Sequence, residues 1–104
     1  MSETGLAVGR PVVEELIRLA AVEVPGVARV GRGGPFWRRW TGRPPVRVDL
    51  RGRQVTVDLV IVARPAQPLG PLAESVRSAV TAAIERLLTL ELASLNVVID
   101  GVGS

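Results

Sequence analysis

Cysteine and histidine are both absent from this 104-residue chain, and all thirteen of its basic residues are arginine. Without cysteine there is no disulfide, thiolate metal site or thiol nucleophile. Without histidine the commonest general base and the commonest zinc ligand disappear together. Aromatic residues are scarce, with one Phe, two Trp and no Tyr. No apolar run approaches the ~20 residues of a membrane span, and Met1-Ser2-Glu3-Thr4 lacks the basic and apolar regions of a secretory signal. These absences leave a narrow repertoire of carboxylate, guanidinium and hydroxyl chemistry. They predict a cytoplasmic chain whose contact with a membrane is peripheral or made through a partner, without direct insertion.

What is present suits a packed domain. Hydrophobic residues make up 47% of the chain, enough for burial to offset the entropy of ordering, and the length fits one domain spanning 1–104. Residues 1–8 read as a lead-in. Pro11 suits a helix start, and Val13, Leu16, Ile17, Ala20 and Val24 then recur on one helical face until Pro25-Gly26 stops it. Val27 to Val30 reads as a short strand. Residues 31–45 (GRGGPFWRRWTGRPP) fit no period and read as a loop.

Val46 to Leu50 alternates cleanly, and the alternation resumes at Val55, Val57, Leu59 and Ile61, which predicts a hairpin around Gly52-Arg53. Parity sets Leu50 opposite Val55, Val48 opposite Val57 and Arg47 opposite Asp58. A one-residue slip would set apolar faces against polar ones. Pro71 reads as the start of a second helix, with Leu72, Val76, Val80, Ala83, Ile84 and Leu87 as its buried stripe. Residues 89–94 read as a connector, and Leu95 to Val102 as a last strand with Leu95, Val97 and Ile99 facing one way. The expected fold is α+β, in the order α-β-β-β-α-β, with a small mixed sheet of three to four strands and two helices on one face.

Val60, Val62 and Val98 fall on the opposite face of that sheet from the helices. Three valines there form an apolar patch, covered either by a loop of the chain or by a second copy. They are the candidate self-association residues, and the expected assembly is a homo-oligomer.

No pattern of reactive groups stands out. A glycosidase or metal site needs carboxylates converging in a cleft, whereas the ten acids are spread singly over outer helix faces and strands. Ser75, Ser78 and Thr81 have no histidine or lysine to activate them. Gly31-Arg32-Gly33-Gly34 lacks the lysine of a phosphate loop. No catalytic residue, metal ligand or cofactor is assigned; an enzyme would need a carboxylate pair or a bound cofactor.

The charge, by contrast, is polarised. Eight arginines and one acid between Arg29 and Arg53 give that segment +7, while the remaining five arginines and nine acids give −4. Phe36, Trp37 and Trp40 place every aromatic of the chain inside it. Trp37, Arg38, Arg39, Trp40 and Arg43 are the candidate partner-binding residues, with four uses open to them. They can lid the core, form a protein hot spot, lie at an anionic lipid surface, or bind nucleic acid through phosphates and stacked bases. Against nucleic acid, the strands carry no aromatic platform and the rest of the chain is net acidic.

Four segments in order resemble the bacterial alkaline shock family of envelope stress-response proteins. Ala21-Val22-Glu23-Val24-Pro25-Gly26-Val27 is similar to its "A-x-E-V-P-G-V" turn after a first helix. Val55-Thr56-Val57-Asp58-Leu59-Val60-Ile61-Val62 is similar to its "V-x-V-D-L-x-I-V" strand. The helix from Leu72 to Glu85 and the closing Leu95-Asn96-Val97-Val98-Ile99-Asp100-Gly101-Val102, similar to "V-N-V-x-V-x-G-V", complete the likeness, which runs from about Leu6 to Val102. Two places depart from it: Arg64-Pro65 stands for a tyrosine-glycine, and Thr89-Leu90 for a "T-G-L". The resemblance implies a cytoplasmic, self-associating domain without catalytic residues or cofactor. It also implies partners such as a small membrane-anchor protein or a family paralogue. The sequence-based expectation is therefore a scaffold or interaction module near the inner membrane face, with a nucleic-acid-binding module as the alternative.

Overall fold

The computed structural model describes residues 9–31 and 44–103. Its elements follow the predicted order: α1 (Arg10–Val22), β1 (Val27–Val30), β2 (Val46–Arg51), β3 (Gln54–Ala63), α2 (Leu69–Ala82) and β4 (Glu91–Val102). A π-helical turn, Ala83–Leu87, prolongs α2. The predicted lead-in and most of the predicted loop, with Trp37, Arg38, Arg39, Trp40 and Arg43, lie outside the described residues.

Strand β3 is the axis of a mixed four-stranded sheet. Strands β1 and β2 pair with it antiparallel along one edge, and β4 pairs with it parallel along the other. The hairpin has the derived register, with Leu50 opposite Val55, Val48 opposite Val57 and Arg47 opposite Asp58. Its two-residue loop needs a positive φ at the first position, which Gly52 supplies at +62° in the manner of a II′ turn. A parallel neighbour, β4, requires a long crossover, and α2 is that crossover.

Strand β4 begins at Glu91, not at Leu95 as the alternation suggested. The reason is a bulge: Leu92 stands beside Val55 and Ser94 beside Thr56, so Ala93 is an extra residue that breaks the period of two. The start of β4 is tied to the hairpin tip. The Glu91 N–H donates to Arg53 O (2.8 Å), and Arg53 Nη2 donates to Thr89 O (2.9 Å).

The helices cover one sheet face. Val13, Ile17 and Ala21 from α1 and Val24 from the turn after it, with Leu72, Val76, Val80 and Ile84 from the second helical segment, close over Val48, Val55, Val57, Leu59 and Ile61. Ala21 takes the core position expected of Ala20, and Leu16 is only half-buried. Helix α2 starts two residues before Pro71. That is tolerated because the first four helical N–H groups have no partner within the helix. Leu87 was expected in the buried stripe and is 70% exposed. The π turn accounts for it, since an extra residue per turn rotates the last side chains off the α-helical phase.

Among the described residues two non-glycine positions have left-handed backbone, Ala66 at φ 64° and Thr89 at φ 53°. They fall beside the two places where the sequence departs from the glycine-containing family pattern. A β-branched residue at positive φ is strained, by about 1–2 kcal/mol. Thr89→Gly should therefore stabilise the fold by about 0.5–1 kcal/mol, after allowing for glycine's greater freedom when unfolded. A urea titration reads this as a higher midpoint at constant slope, and a lower midpoint would contradict the strain.

Candidate interaction surfaces

Helix α1 is apolar on two faces. Val13, Ile17 and Ala21 enter the core, while Val12, Leu16 and Leu19, spaced i, i+4, i+7, run along the outside. The π turn brings Leu87 against this second stripe, and Val12 (58% exposed), Leu19 (51%) and Leu87 together line an open apolar surface with Pro11, Leu16 and Leu88. It continues into a groove of about 700 Å³ between the helices, lined by residues that include Ala20, Ala79, Ala82 and Ala83 with Glu23 and Arg86. Sequence periodicity places Leu16 in the core stripe and does not single out this outer one, and Leu87 reaches the patch because of the π turn.

On the opposite face the three candidate valines separate. Val60 (8% exposed) and Val62 (2%) are buried within the single chain, so they leave little surface for a second copy, whereas Val98 is 45% exposed. Val60 also marks where the basic aromatic segment departs and returns. Its carbonyl accepts from Gly31 N–H (3.0 Å) and its own N–H donates to Pro45 O (2.8 Å). Both stems are thus held by one residue on the β3 edge, between the ends of β1 and β2. Pro44 and Pro45 border a small cleft against Glu14, Glu15 and Arg18 of α1.

Among the described residues there is no group of three or more His, Cys, Asp or Glu placed to hold a metal, and no polar or charged residue is buried. The described ion pairs are exposed: Arg51 with Asp49 at 3.2 Å and Arg18 with Glu15 at 3.7 Å. Asp49 thus pairs with an arginine on its own strand. No helix among the described residues is long and apolar enough to cross a membrane. The geometry among the described residues presents surfaces. A family model for the alkaline shock protein 23 family, described as having cell envelope-related function, matches residues 2–104.

The chain belongs to that family. Comparison with curated proteins found no match. Among solved structures, the chain is similar to a MamM CTD variant in its manganese form, with 25% identity over 89% of this chain and 99% of that one, at a TM-score of 0.64. It is also similar to the copper form of the MamM CTD, with 24% identity over 88% of this chain and 85% of that one, at a TM-score of 0.58. These likenesses describe the fold. The alkaline shock family pattern itself maps onto structural positions: its turn on Gly26, its long strand on β3, its closing strand on β4.

Proposed function

We propose that this family member is a non-enzymatic scaffold of the envelope stress response, self-associating and held near the inner face of the cell membrane by a partner. The observation that carries the reading is the outer stripe of α1 joined to Leu87. An apolar helix face left exposed by the described residues is the mark of an association surface. Its occupant is a second copy of the chain, because Val12, Leu16 and Leu19 have the spacing of a coiled-coil seam that packs against its own mate. Val98 adds a further exposed apolar position on the opposite sheet face. Trp37, Arg38, Arg39, Trp40 and Arg43 remain for the heterologous partner, as residue types enriched at protein hot spots.

Sedimentation of the purified chain tests this. The wild type is expected to run above its 11.0 kDa monomer mass. Leu19→Glu should weaken association by about tenfold or more while leaving the melting temperature close to wild type, since Leu19 is half exposed. A strict monomer up to millimolar concentration would refute the scaffold reading.

A further inference from the structure

We infer that the outer edge of β4 is a self-pairing strand that takes a second copy of the chain in antiparallel register about Val97. The inference rests on the scaffold reading and assigns one assembly surface to it. Its basis is the direction of backbone groups. Val60 spends its N–H and C=O on Pro45 and Gly31, toward the β1/β2 side, so the odd-numbered residues of β3 turn theirs toward β4. Val57, Leu59 and Ile61 stand beside Leu95, Val97 and Ile99 in the parallel ladder. A residue in such a ladder bonds to the two neighbours of the residue beside it. Asn96 and Val98 therefore carry the inward groups, and Leu95, Val97 and Ile99 turn theirs outward. The bond from Arg77 Nη1 to Leu95 O (2.8 Å) agrees with that direction. Among the described residues no strand pairs with this edge.

A second copy fits the edge because the strand complements itself. With Val97 opposite its own mate, Leu95 meets Ile99, and Asn96 meets Val98. Apolar side chains on the helix-covered face thus meet only apolar ones, keeping the two faces continuous across the junction. The acids of β4, Glu91 and Asp100, fall opposite Gly103 and Ser94, so no like charges oppose each other. Long edge strands are usually blunted by charge, proline or cover. Arg77 is the blunting device here: it holds the Leu95 carbonyl that the Ile99 N–H of a second copy would need, and it must release it for the edge to pair.

Val97→Pro is the discriminating variant. It deletes an outward N–H, which an edge strand tolerates, and leaves the ladder to β3 intact. The expected result is a folded chain with the β4 dimer lost, and with the Val97 and Ile99 amides, protected from exchange in concentrated wild type, exchanging freely. Arg77→Ala should tighten association by about threefold to tenfold. Should Val97→Pro fail to fold, the wild-type exchange pattern decides alone: protection of Val97 and Ile99 that rises with concentration supports the edge, and constant protection overturns it. Association unchanged in folded Val97→Pro, but lost in Leu19→Glu, would overturn the edge and leave the scaffold reading standing. A wild type that is monomeric throughout would remove both.

Discussion

Ile17→Ala is expected to cost about 2–5 kcal/mol of folding free energy. Ile17 is fully buried on the inner face of α1, against the sheet. Removing its outer carbons loses transfer free energy and leaves a cavity that the rigid sheet cannot close. A domain of this size has about 5–15 kcal/mol in total, and each kcal/mol moves its melting temperature by about 4–8 °C. The effect is measurable by thermal or urea unfolding, and a loss below about 1 kcal/mol would mean that α1 is not seated as described. The contrast with Leu19, two residues away, is informative. Substitution there should alter association with little change in stability, so the two faces of one helix separate into a folding face and a binding face.

Gly26→Val should be comparably damaging, by about 2–5 kcal/mol, for a different reason. Gly26 has φ +101°, a conformation that L side chains rarely adopt. A Cβ there would also lie 2.5 Å from Gln67 Oε1 and 3.1 Å from Leu72 Cδ1. The glutamine tip can swing aside, but Leu72 is buried in the core and cannot. Backbone strain of about 1–3 kcal/mol then adds to overpacking of about 1–3 kcal/mol. The site is a junction as well, since Gly26 O accepts the Arg64 N–H (2.8 Å), joining the turn after α1 to the end of β3. Gly26→Ala should show an intermediate loss; equal stability of all three chains would exclude a left-handed turn here. This explains physically why a glycine stands in the turn that resembles the family's "A-x-E-V-P-G-V".

The two proposed association surfaces combine into a growth rule. Pairing of β4 with its mate is isologous and closes a dimer, while the stripe on α1 lies on the helix layer and stays free. A protein with two separate self-complementary surfaces can extend beyond the dimer. The size series of wild type, Leu19→Glu and Val97→Pro therefore reports how the assembly is built.

The hairpin was fully legible because its information is local. Strict alternation on both sides of Gly52-Arg53 admits one register, and any slip would drive the core valines to solvent. The inner stripe of α1 was nearly as clear, with Ala20 mistaken for Ala21 because a helical face is wide enough to admit either. The early start of β4 was not legible, since the bulge at Ala93 destroys the period on which strand reading depends. Nor was the fate of Leu87, because nothing in residue type distinguishes an α turn from a π turn.

By itself the sequence determined that no thiol or imidazole is available, the order of the elements and the hairpin register, all of which follow from residue type and short-range period. Tertiary structure decided which apolar residues are left over. Val60 and Val62 became buried while Val98, Leu19 and Leu87 stayed open, and β4 came to lie at an edge with outward backbone groups. That division has a physical cause. Period assigns a side chain to a face, but only the packing of distant segments determines whether that face meets protein or water.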